Sequence, residues 1–147
     1  MKAGSLDKKA LIVISDGGDN ASAHTLVEVL NLARQSNAIV YTIGIFDDQD
    51  PDRNPTVLKR LAQATGGEAF FPRQLNEVVA ICERIAKDIR HQYTIGYFSN
   101  NTEAKPGAYR VIRVAAAAAG KSKLAVRTRS GYVAASEPPP PKEEASQ

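Results

Sequence analysis

The sequence predicts an α/β fold: a partial parallel sheet flanked by helices, followed by an antiparallel β extension. Three observations lead there. Between residues 9 and 91, short apolar runs alternate with stretches whose apolar residues recur every three or four positions, in the order β-α-β-α-β-α. Residues 10–15 and 38–46 are apolar without alternation, as parallel strands covered on both faces are. After Arg90 the chain changes to β-rich runs separated by turn-rich segments, the pattern of a meander.

The elements follow in order. The strand over 10–15 (ALIVIS) ends at Asp16-Gly17-Gly18, where the glycines permit a tight turn. Asn20 or Ser22 caps a helix over 23–36 whose apolar stripe is Leu26, Val29, Leu30 and Ala33. Asn37 is its left-handed stop. The second strand, 38–46 (AIVYTIGIF), is rich in β-branched residues. A polar loop over 47–54 leads to Asn54-Pro55, read as cap and first helical residue. The helix over 55–65 presents Leu58, Leu61 and Ala62 and stops at Gly66-Gly67, before a short strand at 69–71. A third helix over 74–91 carries Leu75, Val78, Val79, Cys82, Ile85, Ala86 and Ile89 at helical spacing, placing Cys82 in the core. Strands are expected at 92–98, 109–114, 123–129 and 132–134. The chain therefore divides into a polar leader (1–8), an α/β unit (9–91), a β extension of the same domain (92–134) and a Pro-rich disordered tail (135–147).

Composition bounds the function. A chain of 147 residues with 43% hydrophobic content suits one domain with its own core. A formal charge of +3 argues against a dedicated nucleic-acid clamp. Cys82 is the sole cysteine, so no intrachain disulfide forms and no redox compartment is implied. No signal core and no stretch long enough to span a membrane is found, which predicts neither export signal nor membrane insertion.

If the first two strands are parallel neighbours, Asp16 and the pair Asp47-Asp48 emerge at one carboxyl-end edge, with Asp19 a turn beyond Asp16. Clustered carboxylates repel one another unless a hard cation or a basic partner neutralises them, so a divalent oxygen-ligand site is one reading. The other is that Asp16 caps the following turn and the remaining aspartates are solvated.

The same edge carries a resemblance. KKALIVISDGGDN resembles the fourth-strand segment of von Willebrand factor type A domains, where a strand ending in Ser/Thr-Asp-Gly supplies the last part of a metal-ion-dependent adhesion site. YTIGIF resembles the next strand of that family, and LKRLAQATGGEAFFP its following helix, double-glycine stop and short strand. IAKDIRHQYTIGYFSNN, GAYRVIRV and AVRTRSGYVA resemble the C-terminal extension of an acidobacterial VWFA-related subgroup. The resemblance covers residues 8–135. It implies a Rossmann-like sheet, recognition of a protein ligand through a bound Mg²⁺, and export for longer relatives. Asp16 alone carries over as a metal-ligand position, one that usually contacts the metal through water. The family's Asp-x-Ser-x-Ser motif and its later Thr have no counterpart in this sequence, since Asp19-Asn20-Ala21-Ser22-Ala23 sets its serine wrongly. The front half of the sheet is thus expected to be absent, the metal site incomplete, and no cofactor bound.

Other motifs are set aside on chemistry. Asp48-Gln49-Asp50-Pro51-Asp52 mimics a calcium loop, but Arg53 stands where the turn glycine belongs and Lys59 where the bidentate glutamate belongs. Residues 115–122 (AAAAAGKS) end like a phosphate loop, yet Ala115 replaces its first glycine and a strand-like run follows, so a hairpin connection is expected. His24 and His91 sit at helix ends, His91 against the dipole. No serine lies in a nucleophile elbow. Arg110, Arg113, Lys121, Lys123, Arg127 and Arg129 are interleaved with Tyr93, Tyr97, Tyr109 and Tyr132, a pattern suiting charged sheet edges better than single-strand nucleic acid.

The expected function is a non-enzymatic protein-interaction domain, with no catalytic residue assigned. A metal-assisted hydrolase using Asp16, Asp19, Asp47 and Asp48 is the alternative, and a structural fragment without binding function of its own is the third reading. A half-sheet exposes a strand edge, which predicts a homodimer or larger assembly unless the β extension covers that edge.

Overall fold

The computed structural model describes residues 9–15, 22–47, 53–97, 99, 105–120 and 124–134. The expected leader, the Asn20 cap, the Pro-rich tail, and Asp16, Asp19 and Asp48 lie outside these residues. Among the described residues the protein is α/β, with a three-stranded parallel sheet flanked by helices and a separate two-stranded antiparallel sheet. The elements are β1 (Lys9–Ser15), α1 (Leu26–Gln35), β2 (Ala38–Gly44), α2 (Pro55–Thr65), β3 (Ala69–Phe70), α3 (Glu77–Arg90), β4 (Tyr109–Val111) and β5 (Gly131–Val133). No helix among them is long and apolar enough to cross a membrane.

β2 is the centre of the larger sheet, parallel to β1 on one side and β3 on the other. Successive strand residues point to opposite faces, so β2 serves two layers. Tyr41 and Ile43 form a buried cluster with Phe70 of β3 and Ile85 of α3, bordered by Ile39, Ile45, Ile81 and Ile89. Burial of Ile43 and Ile85 stabilises the fold by about 1.5–3 kcal/mol each. On the opposite face Thr42 donates its hydroxyl to the Leu58 carbonyl of α2 (3.2 Å), and Thr65 Oγ1 accepts from the Val40 amide (2.8 Å). Two buried threonines thereby lock α2 to the central strand through hydrogen bonds that leave no polar group stranded.

Helix boundaries follow local chemistry. α2 begins where expected: Pro55 occupies the first turn, and Asn54 Oδ1 accepts from the Val57 amide at 3.3 Å. It ends at Gly66, which adopts a left-handed φ of 86°. α1 starts later than residue 23, because Thr25 and Glu28 form a reciprocal capping box. The Glu28 amide donates to Thr25 Oγ1 (3.3 Å) and the Thr25 amide to Glu28 Oε2 (2.7 Å). Its C-cap is Ser36 in extended backbone, not a left-handed Asn37, since no described non-glycine residue has positive φ. α3 starts at Glu77 rather than 74.

Several expectations are corrected. β1 is not buried on both faces: Leu11, Ile12 and Ile14 are 40%, 44% and 60% exposed. It is an edge strand among the described residues. Ile12 and Ile14 stay exposed although Tyr41 and Ile43, opposite them in register, are buried. Cys82 is exposed, as are Leu75 and Val79, because α3 turns Val78, Ile81, Ile85 and Ile89 inward instead. On α1, Val29 is exposed and Leu30 alone is fully buried. β2 ends at Gly44 rather than 46. The described residues of 92–98 and 123–129 form no strand, so among the described residues the extension holds a β4–β5 antiparallel pair rather than the expected meander. Near the expected hairpin connection the Leu124 amide donates to the Ala116 carbonyl at 3.0 Å.

Arginines fasten this extension to the amino-terminal edge of the sheet. Arg127 pairs with Glu68, which precedes β3, and with Asp88 of α3, while Arg84 reaches the same Glu68 at 2.7 Å. Desolvation works against the charge on Arg127, but the Asp88 hydrogen bond and the Glu68 charge outweigh it and raise its pKa. The guanidinium of Arg34 on α1 lies 5.3 Å from the ring centroid of Tyr109 on β4.

Candidate functional site at the carboxyl edge

The parallel register decides where the chain can present a ligand. Ser15 lies opposite Gly44, and the Ile45 amide donates to the Ser15 carbonyl at 2.9 Å, so β1 and β2 finish at one level. Asp16 follows Ser15 directly in sequence, and Asp47 follows Gly44 by three residues. Of the four candidate carboxylates only Asp47 is among the described residues, where it is exposed. Asp16, Asp19 and Asp48 lie outside them. No group of three His, Cys, Asp or Glu side chains that could hold a metal ion is found among the described residues. Mg²⁺ takes about six oxygen ligands in an octahedron, and Asp47 contributes one carboxylate. The described residues therefore do not by themselves make a metal site.

A different set of residues meets at the same edge. Phe46 follows β2, Phe71 follows β3, and their rings stack with centroids 5.6 Å apart at 17°. The stack sits over the end of β2 because Gly44 leaves it room. A Cβ there would lie 2.7 Å from Phe71 Cδ1 and 2.8 Å from Phe46 Cζ. Against this aromatic wall opens a cleft of about 550 Å³ lined by Phe46, Arg53, Pro55, Lys59, Phe71, Pro72 and Arg73. Lys59 Nζ lies 5.3 Å from the Phe71 centroid, a cation–π distance. The first turn of α2 adds the positive end of its dipole and carries no acidic residue.

No motif or spacing in the sequence marks this cleft. In sequence, Arg53 and Lys59 stand out only as the wrong residues for a calcium loop. Phe46 and Phe71 lie beyond the strand ends at which the sequence predicts them, and an aromatic residue just past each of two parallel strands is the available signal. A second cleft, of about 480 Å³, lies near the opposite edge between Gly66–Gly67 and the Arg127 segment. There Glu68 and Arg127 already neutralise each other.

Neither a protein-family model nor a curated protein matches the chain. A solved structure from Vibrio fischeri, described as an uncharacterized membrane spanning protein, is similar over part of its length. The identity is 26% and the TM-score 0.48, over 54% of this chain and 46% of that one. The chain thus spans less than half of that protein, and a likeness at this TM-score assigns neither fold nor role.

Proposed function

We propose that this chain is a non-enzymatic protein-interaction module of the von Willebrand type A kind. Its adhesion site is incomplete in this sequence: Asp16 is the one ligand position it retains, and Mg²⁺ affinity is weak or absent. The observation that supports this is the β1–β2 register, which levels Ser15 with Gly44. Both strands thereby end at the edge where α/β proteins bind ligands, and Asp16 and Asp47 follow them in the sequence. The order β1-β2-β3 and the double-glycine stop of α2 agree with the segments on which the resemblance rests. We also infer that copies of the chain associate through β1. That strand has one neighbour among the described residues, carries Lys9 as its only charge, and exposes Leu11, Ile12 and Ile14.

Calorimetric titration of the intact chain with Mg²⁺ and with Mn²⁺ tests the site. The expected result is no tight binding. A micromolar site that disappears in Asp16→Ala would sink the incomplete-site reading and restore a working metal centre.

A further inference from the structure

We propose that the cleft between the amino end of α2 and the Phe46–Phe71 stack is a binding site for a small organic phosphate. This site is independent of Asp16, Asp19, Asp47 and Asp48 as metal ligands. The cleft lies outside the carboxyl ends of β2 and β3, the side of a parallel sheet on which helix amino ends converge. Its volume, about 550 Å³, falls within the small-molecule range of about 300–1,000 Å³.

Its charge is of one sign among the described lining residues: Arg53, Lys59 and Arg73 supply three cations. Arg53 already takes part in a contact of its own, so the assignment rests on the other two. Lys59 is held against the face of Phe71. Arg73 is exposed and makes no hydrogen bond or ion pair with any described residue, leaving its planar fork able to take two oxygens of one phosphate. The Arg127 guanidinium at the other edge, by contrast, is spent on Glu68 and Asp88. Cations without carboxylates among the described lining, beside a helix amino end, select a multiply charged anion over a neutral ligand. The aromatic wall, which exists because Gly44 has no side chain, gives the organic part of that anion an apolar surface.

The test is titration of the full chain with pyrophosphate, inorganic phosphate and citrate at fixed ionic strength, followed by calorimetry and by amide chemical shifts. Pyrophosphate should bind saturably with a Kd at or below about 1 mM, more tightly than phosphate or citrate, with shifts centred on residues 53–59 and 71–73. Lys59→Gln and Arg73→Gln should each weaken it about fivefold without altering thermal stability. Arg73→Lys, which keeps the charge but loses the fork, should fall between Arg73→Gln and the parent. Arg113→Gln, outside the cleft, should change nothing. Absence of saturation by about 10 mM would overturn the proposal, as would equal binding by both Gln variants. Citrate binding as tightly as pyrophosphate would overturn the phosphate assignment. Loss of metal binding in Asp16→Ala bears on the other site only.

Discussion

Arg129 closes the carboxyl end of α1 by donating from Nη2 to the Ser36 carbonyl at 3.1 Å and to the Arg34 carbonyl at 2.6 Å. The last carbonyls of a helix lack intrahelical donors and carry the negative end of its dipole, so a half-buried guanidinium satisfies both needs. This contact joins the segment before β5 to the turn before β2. It is a major tie between the antiparallel pair and the parallel sheet.

Arg129→Ala should therefore destabilise the whole protein rather than only its C-terminal part. Charge-assisted hydrogen bonds contribute about 1.5–3 kcal/mol, and a loss near 2 kcal/mol is expected in urea unfolding with an unchanged m-value. Arg129→Lys should recover part of it, since the ammonium keeps the charge and its donors but loses the rigid planar guanidinium that holds Nη2 between the two carbonyls. A loss below about 0.5 kcal/mol would show that the contact is a surface ornament.

The double glycine after α2 has two separate jobs. Gly66 needs its positive φ, and a Cβ there would also lie 2.7 Å from the Arg129 amide nitrogen. A Cβ on Gly67 would run into the Val40 carbonyl oxygen of the central strand. Asparagine tolerates the left-handed region, so if φ alone mattered Gly66→Asn would be nearly silent. The close approach of the Arg129 backbone predicts otherwise: Gly66→Asn and Gly66→Ala should both cost about 1–3 kcal/mol. Gly67→Ala should be worse, to the point of poor folding. Thermal denaturation of the three variants checks the order, and a silent Gly66→Asn would refute the packing argument.

What could be read from the sequence was what local chemistry fixes. Asn54-Pro55 and Gly66 bound α2 at the expected residues because a cap, a preset φ and a left-handed stop act within one turn. Thr25-x-x-Glu28 is equally legible as a capping box, and it starts α1 downstream of the competing caps Asn20 and Ser22. Apolar content misled where coverage depends on neighbours. Residues 10–15 are as apolar as any buried strand, but nothing in their periodicity says which faces the rest of the chain will cover. Cys82 sits one position from Ile81, and a broad apolar stripe does not reveal which of the two turns inward. The carboxyl edge was read correctly as the meeting place of β1 and β2, while the cleft beside it joins residues 46, 53, 59, 71 and 73 through tertiary packing. Arg129 and Ser36 are 93 positions apart, a separation over which no spacing rule operates.

Alkaline pH should expose the Tyr41 phenol. Burial is the largest influence and raises its pKa above the ordinary 10.0; the Gln92 hydrogen bond opposes this. Gln92 donates from Nε2 to the phenol oxygen at 3.4 Å. In the window above pH 10.0 the unfolded chain has lost the proton and the folded chain still holds it, so stability falls as pH rises. The contribution is complete below that window. Tyr41→Phe cannot ionise. Its stability should decline less steeply than the parent's between pH 10 and pH 11, whatever the offset at neutral pH. Parallel slopes in urea titrations across this window would remove Tyr41 as the cause.

The exposed β1 edge leads to the last expectation. Among the described residues β1 pairs with a strand on one side only, and its open edge is flanked by Leu11, Ile12 and Ile14. Sheets usually protect such edges with charges, prolines or a bulge; β1 has only Lys9, at its first position. Two copies related by a two-fold axis would pair β1 with β1 antiparallel, an isologous contact that closes on itself and extends each sheet from three strands to six across the pair. Light scattering of the intact chain should therefore return a dimer or larger species that dissociates on dilution. Ile12→Lys with Ile14→Lys places like charges on one face of the strand and should shift the mass to the monomer. Both side chains are substantially exposed, so the far-ultraviolet circular dichroism of the diluted protein should be unchanged. A monomer at every concentration would rule out self-pairing, and a dimer indifferent to both lysines would move the interface elsewhere.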